Sequence, residues 1–388
     1  MKNFNFFIPT RVVLGKNIKE QIGEFVRGYG KKVMLHYGSS YTKKSGLIDS
    51  IGFHLKKAGI DFIEFGGVKS NPRISLVREG IGICRENNVD FILAVGGGSV
   101  IDSAKAIAVG VPYDGDVWDF FQGRAMVGKS LPTGAVVTIP SAGSEASIST
   151  VITNEEGNFK RSIYHEVICP KFALLDPELT LSLPKFQTSC GIADIMSHIM
   201  ENYFTPVEHT DFTDRLCEGA MKTVLRNARI LMKTPENYDA RAEIMWTATF
   251  AQMGVLNTGR IGDWASHQIE HELSGIYDIA HGAGMAVIFP AWMEYVCSNN
   301  LRRFVQFTHR VWGVDKGMFP SQEEAALEGI RNLKSFFGEI GLPVKLSALN
   351  IGTECFEEMA KKCTGEDTVG NLQKLEYRDV LKILQMSL

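Results

Sequence analysis

The sequence lacks the features that mark disulfide-rich, zinc-finger, membrane and nucleic-acid-binding proteins. Its seven cysteines are an odd number and form no CxxC motif, so neither a disulfide framework nor a thiolate zinc cage is expected. No apolar run approaches the roughly 18 residues of a transmembrane helix, and the N-terminus has no signal-peptide pattern. The 41 Lys and Arg against 44 Asp and Glu leave a net charge of −3, which argues against a nucleic-acid or anionic-membrane partner. We expect a cytoplasmic protein.

The rest of the composition is that of an ordinary globular protein. With 45% apolar and 22% charged residues, disorder, collagen and coiled coil are excluded as the main architecture. The 388 residues suggest two or three domains, at roughly 100–200 residues each. Two counts need explanation: the 38 glycines, and the three of nine histidines that fall between positions 267 and 281.

The first half of the chain alternates short apolar runs with amphipathic stretches. Helical spacing of apolar residues separates several of the runs, and this alternation predicts a doubly wound α/β domain at 1–180. A segment rich in β-branched residues at 147–167 predicts a hairpin appended to the sheet. The predicted buried strands are 33–37, 61–65, 91–95, 135–139 and 172–175.

The second half changes character after a proline-containing segment near position 180. Strand-like runs nearly vanish and long helical patterns follow, so we expect an all-helical domain at 181–388. The predicted helices are 188–204, 210–233, 236–256, 263–273, 282–296, 321–340 and 374–386.

Much of the glycine lies in loops that follow predicted strands. The segment GGGSVID (96–102) follows a strand and opens a helix, where free N–H groups and the helix dipole favour an anion. It is neither GxGxxG nor a Walker loop, and a tight structural turn remains an alternative to a dinucleotide site. Hydroxyl-rich loops also follow the strands that end near 37 and 139. Since ligands bind beyond the carboxyl ends of strands in open sheets, these loops favour the ligand interpretation.

Histidines and one aspartate recur at helical spacing in the second half. Asp194 and His198 are four residues apart, as are His267 and His271, and His281 follows ten residues later. The i, i+4 spacing puts both members of a pair on one helix face. One carboxylate with imidazoles suits one divalent metal such as Fe(II) or Zn(II). Solvated or core-packed histidines are the alternative, and HExxH is absent, which disfavours a zincin protease.

Four segments together resemble the iron-dependent, or group III, alcohol dehydrogenases. They are GGGSVIDSAK (96–105), SAGSE (141–145), DIMSH (194–198) and HQIEHELSGIYDIAHGAGMAVIFP (267–290). The subgroup they resemble is the NAD(P)H-dependent butanol dehydrogenases and related aldehyde reductases. The resemblance implies a fold like dehydroquinate synthase, with a dinucleotide-binding α/β domain, a metal-binding helical domain and a substrate cleft between them.

The resemblance also implies roles for individual residues. His271 matches a histidine beside the nicotinamide that is not a ligand, while His267 is both a ligand and part of the catalytic site. Because an imidazole titrates near neutral pH, we expect His271 to relay a proton, with an orienting role behind the metal site as the alternative. Asp102 would support the glycine loop or a ribose hydroxyl. The implied metal ligands are Asp194, His198, His267 and His281. The implied cofactor contacts are Gly38, Ser39, Ser40, Gly97, Gly98, Ser99, Asp102, Thr138, Ser147 and Lys160.

Two departures from the family pattern affect the cofactor. Members that prefer NAD often have an aspartate where this chain has Gly38, Ser39 and Ser40. Without that carboxylate a 2′-phosphate is not repelled, and Lys43 and Lys44 add positive charge, so we expect NADP(H) to be preferred over NAD(H). Ala142 stands where many members have threonine, which removes one hydroxyl contact.

The function implied by the resemblance is metal-dependent hydride transfer between NAD(P)H and a small primary alcohol or aldehyde, such as butanol and butyraldehyde. A polyol dehydrogenase or a dehydroquinate-synthase-like enzyme is the alternative on the same fold, and a metal- or nucleotide-binding module without catalytic activity is a third hypothesis. A polyol-phosphate dehydrogenase or a dehydroquinate-synthase-like lyase needs cationic side chains for the substrate phosphate or carboxylate, whereas the stretch 246–290 offers mainly apolar residues and Arg260. A homodimer is the default expectation for the assembly.

Overall fold

The strands of the first half form a six-stranded sheet in which every pairing is parallel, in the order β1-β8-β5-β4-β2-β3. Residues on both faces of the central strands are fully buried, as at Leu93, Ala135 and Leu174, which explains why these strands read as continuous apolar runs. The strands are β1 (Arg11–Leu14), β2 (Lys32–Tyr37), β3 (Asp61–Phe65), β4 (Phe91–Gly96), β5 (Thr133–Val137) and β8 (Phe172–Leu175).

Helices connect the strands of this sheet. The longest ones pack apolar faces on the sheet, and α5 is buried along nearly its whole length. The helices are α1 (Ile22–Arg27), α2 (Ser40–Lys44), α3 (Leu47–Lys57), α4 (Ile74–Glu86), α5 (Gly98–Gly110) and α6 (Trp118–Phe121).

The predicted hairpin is present as β6 (Ser149–Asn154) and β7 (Phe159–Tyr164). It pairs antiparallel from Ser149↔Tyr164 to Asn154↔Phe159. The hairpin was predicted as an appendage of the main sheet, and its two strands form a sheet of their own. Strand β5 also ends two residues earlier than predicted, since the chain turns towards Pro140, whose ring cannot donate a ladder hydrogen bond.

Helices make up the second half. They are α7 (Lys185–Tyr203), α8 (Asp211–Lys233), α9 (Tyr238–Gln252), α10 (Ala265–Tyr277), α11 (His281–Val296), α12 (Leu301–Trp312), α13 (Gln322–Glu339), α14 (Phe356–Thr364) and α15 (Tyr377–Met386). Two of these, α12 and α14, were not predicted. Their apolar residues, among them Phe304, Phe307 and Met359, are buried in the core of the helical bundle.

This computed structural model describes residues 1–38 and 40–388, which form two units. One unit is Phe7–Leu183, and the other combines Met1–Phe6 with Pro184–Leu388. The predicted boundary lies near position 180, and residues 1–6 were expected in the first domain. Within the described part of the chain, no helix combines the length and the apolar character that crossing a membrane requires.

Candidate metal and dinucleotide sites

Three imidazoles converge on one carboxylate oxygen in the helical unit. Asp194 and His198 lie one turn apart on α7, His267 lies on α10, and His281 begins α11. The Nε2 atoms of His198, His267 and His281 stand 3.6, 4.0 and 3.4 Å from Asp194 Oδ1. The ligand atoms of Asp194, His267 and His281 all lie within 4.8 Å of one another, so these three groups fit one ion, and His198 adds an imidazole beside Asp194.

The chemistry of the cluster also fits a divalent cation. Within the described chain, His267 Nε2 is buried and has no hydrogen-bond partner, which is costly unless a cation takes its lone pair. Burial lowers the pKa of His198 to about 3, with the neighbouring His267 and His281 acting in the same direction and Asp194 opposing them. The imidazole is therefore neutral, as a ligand must be. One carboxylate with imidazoles suits Fe(II) or Zn(II).

Two buried glutamates hold the imidazoles from behind, and the sequence analysis did not identify them. His267 Nδ1–H donates to Glu201 Oε1 over 2.7 Å, and His281 Nδ1–H donates to Glu270 Oε2. Glu201 follows Asp194 by seven residues on α7, and Glu270 follows His267 by three on α10. These helical spacings are the only sequence signal that could have identified the two glutamates. The signal is weak, because a glutamate at such a position is more often exposed to solvent than buried.

Close helix packing places His281 in the cluster. A Cβ on Gly282 would stand 2.0 Å from the carbonyl oxygen of Cys190, so only glycine lets α11 approach α7 this closely. A Cβ on Gly284 would stand 2.6 Å from Glu270 Oε1, which leaves room for that carboxylate beside His281. The GxG that follows His281 in the sequence therefore serves the packing of the metal-site helices.

Trp264 borders the cluster in an unusual backbone conformation. Its φ is +69°, which is uncommon for a bulky residue and marks backbone strain. Its N–H donates to Glu201 Oε2 over 2.5 Å, and its ring lies 5.3 Å from that of His267 and 6.1 Å from that of His198. His271 is half-buried one turn beyond His267, and its ring centroid is 5.8 Å from that of His281.

In the α/β unit, the glycine turn lies between β4 and α5. A Cβ on Gly98 would stand 2.7 Å from the Cβ of Ala142, and one on Gly97 would stand 3.0 Å from that of Ile139. A Cβ on Gly38 would meet Val100 Cγ2, in the first turn of α5, at 3.4 Å. The loops after β2, β4 and β5 therefore meet, as predicted for a ligand site at the strand ends.

The remaining predicted cofactor contacts have varied surroundings. Ser99 is half-buried in the first turn of α5, and the N–H of Thr138 donates to Gly96 O over 3.0 Å just after β5. The buried amine of Lys160 donates to Asn71 Oδ1 over 3.0 Å. Ser39 and the side chain of Ser40 lie outside the described residues.

A buried lysine that the sequence analysis did not single out organises the loop after β5. Lys105 is fully buried, and its amine lies within 3.2 Å of two side-chain and three carbonyl oxygens of Ser144, Ser147 and Ser149. One Asp102 oxygen accepts from Ser144 Oγ at 2.6 Å and the other from a backbone N–H of β6 at 3.1 Å. Asp102 therefore contacts the loop after β5 and strand β6, whereas the predicted role was support of the glycine loop or a ribose hydroxyl, and Ser147 is engaged within the fold.

Comparison with known proteins identifies the family of both parts of the chain. The model of the family described as iron-containing alcohol dehydrogenase matches residues 9–177, and that of the C-terminal part of the Fe-containing alcohol dehydrogenase family matches 188–388. The chain is 42% identical to NADH-dependent butanol dehydrogenase A of Clostridium acetobutylicum, with both proteins covered in full. It is 34% identical to the NADPH-dependent aldehyde reductase YqhD of Escherichia coli over 93% of each chain.

A solved structure gives the same result. NADH-dependent butanol dehydrogenase A of Thermotoga maritima superimposes with a TM-score of 0.96 at 38% identity, covering 100% of this chain and 99% of that one. The chain is thus an oxidoreductase with a nicotinamide-dependent alcohol dehydrogenase or aldehyde reductase activity, and it belongs to the iron-containing alcohol dehydrogenase family.

Proposed function

We propose that this chain interconverts a small primary alcohol and its aldehyde, such as butanol and butyraldehyde, with one divalent cation held by Asp194, His198, His267 and His281. The observation that carries the proposal is the convergence of three Nε2 atoms within 4.0 Å of Asp194 Oδ1. When bound, Fe(II) or Zn(II) supplies a Lewis acid that polarises the substrate oxygen. The nicotinamide supplies or accepts the hydride.

The side chains around the cluster suit an uncharged substrate. Trp264 presents an indole beside His198 and His267, where it offers apolar surface to a short alkyl chain. Arg260 is the only Lys or Arg in the stretch 246–290, and its guanidinium is bound by Asp214 at 2.7 Å in the interior. It is therefore committed to the fold, which supports an alcohol or aldehyde over a phosphorylated or carboxylated substrate.

His271 is the proposed proton relay. It is half-buried one turn beyond His267, and its ring lies 5.8 Å from that of His281. An imidazole titrates near neutral pH, so it can take the proton from an alcohol or return it to a reduced aldehyde. Asp194 and the three ligand histidines bind and orient, and none of them needs to leave its position during the cycle.

The cofactor preference is proposed separately. The absence of an acidic residue at Gly38 supports NADP(H), as the sequence predicts. Lys43 Nζ, however, lies 2.5 Å from Glu64 Oε2, so Glu64 offsets part of the charge available to a 2′-phosphate. We expect wild type to favour NADPH, and Glu64→Gln to raise the NADPH-to-NADH ratio of kcat/KM further by freeing Lys43. Equal or better kcat/KM with NADH in wild type would contradict the preference.

The activity is tested by following absorbance at 340 nm with butyraldehyde and NADPH or NADH. Protein stripped with a chelator is compared with protein reloaded with Fe(II) or Zn(II), and the metal content of freshly isolated protein is measured. We expect reloading to restore turnover and His267→Ala to lose both metal and turnover. Full activity in metal-free protein would refute the proposal. The homodimer and the cytoplasmic location stay predictions, and sedimentation of the purified chain tests the first.

A further inference from the structure

We propose that Glu201 and Glu270 are positioning residues of the metal site, which fix the two imidazoles of His267 and His281 for the cation. The inference deepens the proposed function and rests on it, because the glutamates have something to position only if the cluster binds a metal. Both carboxylates are fully buried. Neither reaches the centre of the cluster, since each contacts the far nitrogen of its histidine.

Glu201 gathers several donors from the start of α10. Its Oε1 accepts from His267 Nδ1 at 2.7 Å, from the hydroxyl of Ser266 at 2.5 Å and from the backbone N–H of His267 at 3.3 Å. Its Oε2 accepts from the backbone N–H of Trp264 at 2.5 Å. Glu201 therefore sets both the ring of His267 and the strained turn that leads into α10.

Glu270 contacts a ligand histidine and a hydroxyl. Its Oε2 accepts from His281 Nδ1, and its Oε1 accepts from the hydroxyl of Ser274 one turn later on α10. That hydroxyl also lies 3.5 Å from the carbonyl oxygen of Ile279. A backbone N–H can only donate a hydrogen bond. A hydroxyl, by contrast, can rotate so that it donates to another acceptor and accepts a hydrogen bond from the group to which it donated before.

The glutamates affect metal binding by selecting the tautomer of the histidines that they contact. A carboxylate on Nδ1 keeps the proton there, so Nε2 carries a lone pair that points into the cluster. His198 has no such support among the described residues, because its Nδ1 is buried without a hydrogen-bond partner. Two additional buried carboxylates also favour a dication over neutral surroundings, since buried negative charge is costly without compensation.

The two glutamates differ in how they tolerate an amide. In Glu201→Gln, the amide NH2 must face either the Trp264 N–H, which cannot reverse, or His267 Nδ1, which would then lose its proton to Nε2. Either outcome disturbs the site. In Glu270→Gln, the amide oxygen can face His281 while Ser274 accepts from the NH2 and donates to Ile279. A glutamine should therefore replace Glu270 better than Glu201.

The test measures Zn(II) affinity of chelator-stripped protein by competition with a chromophoric chelator, and records the d–d absorption spectrum after loading with Co(II). We expect Glu201→Gln and Glu270→Ala to lower Zn(II) affinity roughly 10–100-fold and to alter the Co(II) spectrum. Glu270→Gln should lose less Zn(II) affinity than Glu201→Gln or Glu270→Ala. Glu218→Gln is the matched control, because this buried glutamate contacts Tyr203 and Arg310 and no proposed ligand.

Each result decides the inference. It is overturned if folded Glu201→Gln binds Zn(II) as tightly as wild type, or if Glu218→Gln weakens binding equally. Should Glu201→Gln fail to fold, equal affinities of Glu270→Ala and Glu270→Gln would overturn it as well. A wild-type chain that takes up neither Zn(II) nor Fe(II) would refute the proposed function together with the inference, whereas a metal-binding wild type with unaffected variants would refute the inference alone.

Discussion

At the scale of single residues, Lys105 is the least expected feature of the α/β unit. A lysine is almost never fully buried unless its charge is compensated, and here three carbonyl oxygens and two hydroxyls surround the amine. Asp102, one turn earlier on α5, provides the opposite charge. The pair ties the loop after β5 to the helix that begins at the glycine turn, so the cofactor loops are held from inside the domain.

We expect Lys105→Met to destabilise the protein by about 3–5 kcal/mol, because it removes the nearer of the positive charges that compensate the buried Asp102 carboxylate. The dissociation constant for NADPH should rise as well, since the loop at 144–149 loses its anchor. Urea unfolding measures the first effect and quenching of protein fluorescence by NADPH the second. The exposed Lys129→Met is the control, and an equally small effect of both substitutions would contradict the role given to Lys105.

His36 predicts a pH dependence of stability. Its Nδ1 and Nε2 lie 2.8 Å from Phe65 O and 2.9 Å from Ser103 Oγ, and burial lowers its pKa from 6.5 to about 4, with the Phe65 bond opposing. Because the unfolded chain takes up this proton at a higher pH than the folded one, stability is lost as pH falls below about 6.5. Between pH 7 and 5 wild type should lose about 2 kcal/mol more than His36→Gln.

The measurement compares urea unfolding of the two proteins at both pH values. The other titrating groups, including the metal ligands, occur in both proteins and cancel in the difference. His54→Gln, at a half-exposed position, should keep the wild-type dependence on pH. Parallel stabilities of wild type and His36→Gln across this range would show that His36 is protonated as readily in the fold as outside it.

The sequence predicted the convergence of the ligands better than it predicted their supports. Asp194, His198, His267 and His281 stand out because aspartate and histidine at helical spacing are rare in a core. Glu201 and Glu270 carry the same spacing, but glutamate is common on helix surfaces, so nothing in the sequence separates a buried acceptor from a solvated charge. His36 likewise reads as isolated, since Ser103, its partner, lies 67 residues away in sequence.

At the scale of elements, the packing of α7 against α11 determines the geometry of the cluster. Asp194 and His198 lie on one of these helices and His281 on the other, so a shift of either helix separates ligand atoms that now lie 3.4 Å apart. The two helices approach closely at Gly282, where the partner is backbone and cannot move aside as a side chain could.

We expect Gly282→Ala to force α11 away from α7, because its Cβ would stand 2.0 Å from the carbonyl oxygen of Cys190. Overpacking of this kind costs about 1–3 kcal/mol, and displaced His281 should bind metal more weakly. Thermal unfolding and bound metal per chain measure the two effects. Gly219→Ala is the control, since that exposed glycine of α8 has open space around its Cβ and should gain about 0.5–1 kcal/mol. Equal unfolding temperatures and equal metal contents of Gly282→Ala and Gly219→Ala would contradict the explanation by close packing.

Elements with clear periodicity were predicted, and those with mixed signals were not. Strands β2, β4 and β8 are apolar on both faces and were found within one or two residues. Strand β1 was missed because it is a short edge strand with Arg11 and half-exposed valines, so it lacks the buried pattern. Helix α12 has apolar residues at Phe304, Phe307 and Val311, a spacing that does indicate a helix, and the sequence analysis overlooked it.

At the scale of the whole molecule, the two units have hydrophobic cores of their own. The helical unit includes the chain start, where the Lys2 N–H donates to Gly259 O at 2.9 Å. No sequence pattern indicates that residues 1–6 belong to the helical unit. Six residues are too few to show a periodicity, and the residue that Lys2 contacts lies more than 250 positions away. All the proposed metal ligands lie in that unit, so metal binding should stabilise it in particular.

Metal removal therefore gives a prediction for the whole chain. Of the five tryptophans, four lie in the helical unit and only Trp118 lies in the other, so tryptophan fluorescence reports mainly on the metal-binding unit. A ligand at a thousandfold excess over its dissociation constant stabilises by about 4 kcal/mol, which corresponds to a rise of roughly 10 °C in the unfolding midpoint of a unit of this size. We expect Zn(II) to raise the thermal unfolding midpoint of metal-stripped wild type, followed by tryptophan fluorescence, by roughly 10 °C. The midpoint of folded His267→Ala should not change when Zn(II) is added. An equal rise in the variant would place the stabilising ion elsewhere on the chain.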